Sequence, residues 1–289
     1  MRINKIYEAA LNSAIGRKYY ASKIAPLIIS NGMQWKNSWN GKKACLMLSY
    51  DPDEKKDIDE MKWLLSLLKR YDLPASIAAI GMLIEKYPKI FSHAIDQDHE
   101  LINHTYSHPD NAELNPDKNF HLISREERFS EINICDGVAH DLLDYKFSGF
   151  RIPHFGNQFI DDIYPMLTKL KYKYSSSTVA VKTKNQGFPF KVGKVWELPL
   201  VCCQKHPFCI FDTAHAFRSR FARHDAKTYL MDFENLIRFG IENHMFINLY
   251  HDPQDLHKFD YDKLLKIIDK YRDELLITTY GELTNGFKK

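Results

Sequence analysis

The sequence predicts an α/β fold in which parallel strands are joined by crossover helices. Short apolar runs alternate with helical patterns about eight times over roughly 240 residues, and such an alternation is typical of parallel sheets. Polar residues follow several of the apolar runs, which is where α/β folds place their chemistry. Two architectures remain open at this level, a doubly wound sheet and a (β/α) barrel.

The first half of this pattern contains three strand candidates and two helix candidates. The first helix carries Met61, Leu64, Leu65 and Leu68 on one face. The strands are ACLMLSY (44–50), PASIAAIG (74–81) and HELIN (99–103), and the helices are DIDEMKWLLSLLKRYD (57–72) and MLIEKYPKIFSHAIDQD (82–98).

The second half opens with a helix that we expect to begin at Ser124, because Glu127 stands three residues later and completes a capping-box pattern. A helix over 157–171 contains Pro165, which should bend it. Two further helices are expected at roughly 225–242 and 260–273. The remaining strand candidates are KFSGFR (146–151), YKYSSST (172–178), KVWELPLV (194–201), MFINLY (245–250) and ELLITTY (274–280).

Composition and charge exclude several classes of function. The net charge is only +3 and no long basic block occurs, so nucleic acid is not an expected partner. No apolar run approaches the ~18 residues of a membrane-spanning helix. The opening residues lack the pattern of a signal peptide, and the five cysteines are an odd number, so we expect a cytoplasmic protein with free thiols.

The cysteine-rich stretch CCQKHPFC (202–209) resembles a zinc knuckle only superficially. Its spacing is not the paired C-x-x-C form, and it follows a strand-like run. A metal role is therefore not expected there.

Polar side chains stand directly after four of the predicted strands. Because the carboxyl ends of parallel strands lie at one edge of a sheet, these side chains should converge on one site. They are Asp51 and Asp53 after the first strand, His104 and His108 after HELIN, Arg151 after KFSGF, and His251 after MFINLY.

His104 and His108 lie four residues apart, so on a helical turn they would share one face. Together with one aspartate they form the ligand set of a catalytic zinc. The other aspartate is then free to act as a base, with Arg151 as its charged partner, and His251 is a candidate proton donor. These residue types describe metal-assisted hydrolysis of an amide or ester.

In this order the motifs resemble those of the polysaccharide deacetylases, carbohydrate esterase family 4, with the NodB-homology domain. HTYSH (104–108) matches the H-[ST]-x-x-H motif of that family, and DPD (51–53) precedes it as the family's aspartate motif does. RIPHFG (151–156) resembles the arginine–proline motif, and INLYH (247–251) resembles the last motif. The resemblance extends from Lys43 to Phe287.

The resemblance implies a distorted, TIM-like (β/α) barrel of seven or eight strands over residues 43–289, preceded by an N-terminal helical extension over 1–42. It also implies a divalent metal, usually zinc, and hydrolysis of an N-acetyl group. Carried over to this sequence, the metal ligands would be Asp53, His104 and His108, the general base Asp51, the residue that orients this base Arg151, the general acid His251, and an oxyanion donor the backbone N–H of His154.

The chain departs from the common family pattern in three places, one of which is an extra residue before the glycine of RIPHFG (151–156). Pro52 separates the two aspartates, and this D-x-D form resembles a branch with signal-less peptidoglycan deacetylase-like proteins, surface-polysaccharide (O-antigen type) enzymes and small cyclic-amide hydrolases. The tryptophan-bearing motif of the family is not recognisable, Trp196 being the nearest candidate. Asp212 and Asp225 are therefore only candidates for orienting His251.

We accordingly expect a zinc-dependent deacetylase that acts on an N-acetylated sugar or glycan precursor in surface-polysaccharide (lipopolysaccharide or O-antigen) biosynthesis. The alternatives are a small cyclic-amide or N-formyl amide hydrolase, a non-haem iron oxygenase, whose facial triad also has two histidines and a carboxylate, and a non-catalytic sugar-binding module. The complete set of polar residues argues against the last of these.

The N-terminal segment INKIYEAALNSAIGRKYYASKIAPLII (3–29) lies outside the resemblance. Its apolar residues fall at helical spacing, and it carries several basic residues against a single acidic one. One interpretation is a helix packed on the barrel. The other is an interfacial helix that gives peripheral contact with anionic lipid at the inner membrane face.

Overall fold

The computed structural model describes residues 14–219 and 223–287, and over these residues strands and helices alternate as predicted, which confirms the α/β class. The strands are β1 (Ala44–Tyr50), β2 (Ser76–Ala79), β3 (Glu100–Asn103), β4 (Gly149–Phe150), β5 (Tyr174–Ser175), β6 (Phe190–Val192), β7 (Val195–Glu197), β8 (Phe246–His251) and β9 (Leu275–Ile277).

The helices connect these strands and cover the sheet residues. They are α1 (Ala14–Tyr19), α2 (Ala25–Trp35), α3 (Lys55–Arg70), α4 (Gly81–Lys86), α5 (Pro88–Ile95), α6 (Arg125–Leu143), α7 (Ile163–Lys169), α8 (Thr213–Arg218), α9 (Ala226–Glu242), α10 (Tyr261–Lys270) and α11 (Tyr280–Gly286). A π-helical turn (Tyr20–Ile24) joins α1 to α2, and 3-10 turns occur at Phe155–Asn157, Ala180–Lys182 and Pro253–Lys258.

The described residues form two compact units. Within the described residues, the first unit takes its residues from 14–47, 179–189 and 199–277, and the second unit from 48–178, 190–198 and 278–287. Strand β1 contributes its first four residues to the first unit and its last three to the second.

The sheet of the second unit has the strand order β6-β7-β5-β4-β3-β2-β1. The neighbours from β1 to β7 are parallel, with Ser49 opposite Ser76 and Asn103 opposite Phe150, and only β6 is antiparallel. Because the parallel strands share one direction, the residues that follow β1, β3 and β4 emerge at the same edge. This edge carries most of the predicted site residues.

Helix α3 shows how the sequence pattern builds the core of the second unit. Met61, Leu64, Leu65 and Leu68 are fully buried, as their spacing predicted. Burial of a leucine side chain of this kind contributes roughly 1.5–3 kcal/mol to folding. The apolar face therefore fixes the helix that follows the Asp51–Asp53 segment.

Two predicted helices differ from the structure at prolines. The helix expected over 82–98 is two helices, α4 and α5, because Pro88 disfavours the α conformation at Tyr87, whose φ and ψ are −133° and 47°. The helix expected over 157–171 begins only at Ile163. Pro165 then lies in its first turn, where the missing N–H costs no hydrogen bond, so the proline does not bend the helix.

In the first unit β1 pairs in parallel with β9, with Cys45 opposite Leu276, and the Cys45 N–H donates to the carbonyl of Met245 beside β8. Helices α1 and α2 and the π-helical turn bury Tyr20, Ile24 and Ile28 at intervals of four residues. The helical character expected of the N-terminal segment is thus seen over residues 14–35.

Part of the N-terminal prediction lies outside the described residues, since it includes residues 3–13. The boundary between residues 42 and 43 remains a prediction. Within residues 14–219 and 223–287, none of the helices combines the length and the apolar character needed to cross a bilayer.

Candidate active site

His104 and His108 lie in a loop rather than on a helical turn, which corrects the sequence interpretation. Thr105 and His108 adopt left-handed backbone conformations, with φ of 68° and 49°. The side chain of Asn103 accepts a hydrogen bond from the N–H of Thr105 at 2.9 Å, and the hydroxyl of Thr105 accepts one from the N–H of His108 at 3.0 Å. These contacts fix a tight loop that turns both imidazoles to the same side.

A second set of contacts ties this loop to the helix α6. The carboxylate of Glu131 accepts hydrogen bonds from the N–H and the hydroxyl of Ser107, both at 2.8 Å. Helix α6 itself begins as predicted, with a reciprocal capping box between Ser124 and Glu127. The histidine loop is therefore held from both ends.

Asp53 faces both histidines. Its two carboxylate oxygens lie 3.5 Å from Nε2 of His104 and 3.5 Å from Nε2 of His108. The backbone carbonyl of Asp53 accepts a hydrogen bond from the amide of Asn111 at 2.8 Å, and its N–H donates to Asp57 at 3.2 Å. The carboxylate is thus positioned by its own backbone contacts.

These three side chains fit a divalent metal ion. Nδ1 of His104 donates to the carbonyl of Arg151 at 2.8 Å, which leaves the lone pair of Nε2 for a ligand. Nε2 of His108 is buried and makes no hydrogen bond within the described part of the chain. With zinc bonds of ~2.0–2.2 Å, tetrahedral ligands are about 3.3–3.6 Å apart, which agrees with the separations from Asp53. The donor atoms of all three side chains lie within 4.8 Å of one another.

Arg151 is fully buried and forms an ion pair with Asp51. Its remaining donors reach Ser49 Oγ at 2.9 Å, Ser176 Oγ at 3.2 Å and Tyr280 Oη at 2.7 Å. With so many contacts the guanidinium group has one orientation, and it fixes the carboxylate of Asp51. The other carboxylate oxygen of Asp51 lies 3.8 Å from Nε2 of His104.

The surroundings of Asp51 and Asp53 shift the pKa values of the two carboxyl groups in opposite directions. Burial raises the pKa of Asp51, although the charges of Arg151 and His104 act in the opposite direction. Burial also opposes ionisation of Asp53, but the rings of His108 and His104 outweigh it and lower the pKa of Asp53 to about 2. Burial lowers the pKa of His108 to about 3. Asp53 is therefore a carboxylate and His108 a neutral imidazole, which are the forms that bind metals. Burial opposes protonation of His104, but its contacts with Asp53 and Asp51 outweigh burial and raise the pKa of His104.

His154 lies beside the donor set. Its ring is edge-on to the ring of His108, with 4.9 Å between the centroids. Its backbone is left-handed, with φ of 54°, and its N–H donates no hydrogen bond to the described residues. The predicted role of this N–H as an oxyanion donor is compatible with that geometry and remains a prediction.

His251 belongs to the first unit, whereas the other predicted site residues belong to the second. It is the last residue of β8, and its Nε2 lies 2.9 Å from the hydroxyl of Tyr229. Burial lowers the pKa of His251 to about 3, so the ring is neutral at neutral pH. The candidates Asp212 and Asp225 instead cap α8 and α9.

The hydroxyl groups that contact Arg151 and His251 are not among the residues predicted from the sequence. The position of Ser49 could have been predicted, because it precedes Asp51 by two residues and side chains two apart on a strand point to the same side. The positions of Ser176, Tyr280 and Tyr229 could not, since they come from remote parts of the chain.

Comparison with known proteins agrees with the sequence resemblance. The family model described as polysaccharide deacetylase matches residues 40–175, just under half of the chain, and this range contains every predicted site residue except His251. A peptidoglycan-N-acetylglucosamine deacetylase of Bacillus cereus is 32% identical over 97 residues. That segment is 34% of this chain and 34% of the relative, so the chain spans about a third of the relative's length in the match.

Solved structures with a similar fold are more distant in sequence. A probable polysaccharide deacetylase from Pseudomonas aeruginosa has a TM-score of 0.70 and 10% identity, over 86% of this chain and 92% of that one. The allantoinase PuuE also has a TM-score of 0.70, with 9% identity over 86% of this chain and 91% of that one. These similarities confirm the fold class that the resemblance implied, and they show the fold alone.

Proposed function

We propose that this chain, which matches the polysaccharide deacetylase family over residues 40–175, is a metal-dependent amide hydrolase that removes an N-acetyl group from a sugar. The observation that carries the proposal is the position of the Asp51–Arg151 pair beside the Asp53, His104 and His108 donor set. A set of two histidines and one aspartate occurs in many kinds of metal site, so it does not by itself specify hydrolysis. A buried carboxylate that an arginine orients adds a base within reach of the same centre.

The residues of the second unit have distinct roles in this proposal. A zinc or similar divalent ion held by its three ligands supplies Lewis acidity and makes water more acidic. Asp51 accepts the proton of the attacking water, and Arg151 keeps the accepting oxygen in place. The backbone N–H of His154 donates to the oxygen of the acetyl carbonyl as negative charge develops there.

The family resemblance assigns proton donation to the leaving amine to His251. Because the ring of His251 is neutral at neutral pH, it must gain a proton during the reaction before it can pass one on. The hydroxyl of Tyr229 holds the ring at Nε2. Tyr229 therefore acts as a positioning residue.

An N-acetylated glycan precursor of a surface polysaccharide is the substrate class that we favour. The name of the Bacillus cereus relative specifies N-acetylglucosamine, which supports an N-acetylated sugar. All five cysteines are free thiols, which suits the reducing cytoplasm where such precursors are made.

Peripheral contact with a membrane through the N-terminal helices belongs to the same proposal. Helices α1 and α2 expose Ile15 and Met33, by 68% and 61%, and Arg17, Lys18 and Lys23 of the same N-terminal segment are also exposed. An apolar surface with basic residues in the same segment suits anionic lipid.

A small cyclic amide is the second candidate substrate. It is favoured by the separation of the two aspartates by Pro52, the D-x-D form that also resembles cyclic-amide hydrolases. The PuuE allantoinase shares the fold to the same degree as the deacetylase structure, so the fold does not favour one substrate over the other.

Acetate release tests the proposal. The zinc-loaded protein is incubated with a panel of N-acetylated sugars, free, nucleotide-linked and lipid-linked, and with a small cyclic amide. We expect acetate from at least one sugar, and none from the matched Asp51→Asn protein. Opening of the cyclic amide without acetate from any sugar would establish the second candidate instead.

A further inference from the structure

A second cluster of metal-ligating side chains lies in the first unit. Its members are Cys203, His206, His215 and His224, and one donor atom from each lies within 4.8 Å of the others. All four side chains are buried. None of them takes part in the candidate active site.

Three separations between the donor atoms lie close to those of a tetrahedral zinc centre. Sγ of Cys203 is 3.5 Å from Nε2 of His224 and 3.9 Å from Nδ1 of His206. That Nδ1 is 2.9 Å from Nε2 of His215. With zinc bonds of ~2.0–2.3 Å to nitrogen and sulfur, ligand atoms in a tetrahedron are about 3.3–3.6 Å apart. The observed distances bracket that range.

Contacts outside the cluster determine which nitrogen of His215 and which nitrogen of His224 faces the centre. Nδ1 of His215 donates to the carbonyl of Ile210 at 2.9 Å, which leaves Nε2 as the lone-pair donor. Nδ1 of His224 lies 3.1 Å from the carboxylate of Asp232, the arrangement that supports histidine ligands of zinc. A hydrogen bond between His206 and His215 would not explain why a thiol and a third imidazole converge on the same point.

We propose that Cys203, His206, His215 and His224 bind one zinc ion in a closed structural site, separate from the catalytic metal. Four protein ligands leave no position for water or substrate, which is the property of structural zinc sites. A thiolate with three imidazoles selects zinc over magnesium or calcium. Cys203 binds as the thiolate, and its proton is released to solvent.

The zinc ion stabilises a segment with little regular structure. Consecutive ligands are separated by two, eight and eight residues. Between Cys203 and His224 the described chain forms only short helix α8 as a regular element. A metal ion bound by four side chains of such a segment cross-links the chain where regular backbone hydrogen bonding is sparse.

The proposed zinc site also contacts Tyr229, which is a hydrogen-bond partner of His251. The ring of His224 packs edge-on against Tyr229 in the first turn of α9, with 5.8 Å between the centroids. The hydroxyl of Tyr229 lies 2.9 Å from Nε2 of His251. The zinc ion therefore fixes the position of Tyr229, and through it the orientation of His251.

The sequence did not predict a metal at CCQKHPFC (202–209), because this stretch lacks the paired C-x-x-C spacing of a zinc knuckle. Only Cys203 and His206 of that stretch are members of the cluster. His215 and His224 come from the start of α8 and the residue before the cap of α9, and only the fold brings them together.

Cobalt substitution tests the proposal without reference to activity. The candidate active site has no sulfur ligand, so thiolate-to-cobalt charge-transfer absorption in the near ultraviolet reports the second site alone. We expect this band in the full-length cobalt protein and in the His104→Ala/His108→Ala protein. By elemental analysis the zinc content should fall from two ions to one in that double variant.

Cys203→Ser should abolish the band and remove one zinc ion, whereas Cys202→Ser, at the adjacent buried cysteine, should leave both unchanged. If Cys203→Ser fails to fold, the spectrum of the unsubstituted chain still decides the question. A folded cobalt protein without a thiolate band overturns the proposal, and so does a band that persists in Cys203→Ser.

Discussion

Arg151 and Asp51 form an ion pair in which neither side chain is accessible to solvent beyond 1%. Removal of both charges from water costs several kcal/mol, which pairing only partly offsets. Three hydroxyl groups and the backbone carbonyl of Ser176 also contact the guanidinium group. The pair is therefore better explained by the need to hold one carboxylate in one place than by any contribution to stability.

The two aspartates should respond differently to the same substitution. Asp51→Asn should keep the active-site metal and lose roughly 10²–10⁴-fold in rate, because it removes a base and not a ligand. Asp53→Asn should lose that metal and, with it, the activity. Elemental analysis and steady-state kinetics on both proteins check this. The opposite distribution of metal would show that the two roles are exchanged.

Loss of Arg151 should be costly because Asp51 remains buried. Arg151→Met should lower the free energy of unfolding by about 3–5 kcal/mol. Addition of Asp51→Asn should recover part of that loss, because the buried charge is then gone. Urea denaturation of the single and double variants measures the coupling. If the losses in free energy of unfolding from the two substitutions simply add, Arg151 and Asp51 are not coupled as a buried ion pair.

Tyr229→Phe should reduce the rate roughly tenfold without loss of metal, because a hydrogen bond to His251 of about 1.4 kcal/mol is removed. His251→Ala should cost more, since it removes the proton donor itself. Tyr271→Phe is a matched control, because its hydroxyl contacts Glu234 at 3.0 Å. An unchanged rate in Tyr229→Phe alongside an inactive His251→Ala would mean that Tyr229 does not orient the histidine.

His99 should make stability depend on pH. Burial lowers the pKa of His99 to about 4, and its ring nitrogens make no hydrogen bond with described residues. The folded state favours the neutral ring. The contribution of His99 to the free energy of unfolding is therefore fully present above the unfolded pKa of about 6.5 and is lost as the pH falls towards about 4.

Between about pH 7 and about pH 5 this loss should amount to about 1–2 kcal/mol. His99→Gln removes the titrating group, so its stability should change less over the same interval. Urea unfolding of both proteins at the two pH values measures the difference. Parallel losses would show that His99 is not responsible.

The membrane proposal predicts binding to anionic vesicles. Replacement of Arg17, Lys18 and Lys23 by Gln should weaken binding by about 1 kcal/mol per charge. Co-sedimentation with phosphatidylserine vesicles measures it, and the matched control replaces Lys62, Lys69 and Arg70, exposed residues of α3. Equal binding by both triple variants would exclude a membrane role for the N-terminal helices.

The sequence by itself was sufficient for features that depend on near neighbours. Apolar periodicity predicted the buried face of α3, and the spacing of Ser124 and Glu127 predicted the start of α6. The residues after β1, β3 and β4 were predicted to meet, because parallel strands end at one edge, and Asp53, His104 and Arg151 do lie together. These features follow from local conformational preferences and from the direction of the strands.

Only the tertiary structure decided the features that depend on distant residues or on loop conformation. The spacing of His104 and His108 predicts a helical turn, but Thr105 and His108 are left-handed and the motif forms a loop. Side-chain hydrogen bonds to the backbone stabilise this loop over a helix. Tyr280 reaches Arg151 across 129 positions, and His215 and His224 join Cys203 only through the fold. Such contacts are set by the packing of whole elements, and no pattern of neighbouring residues contains that information.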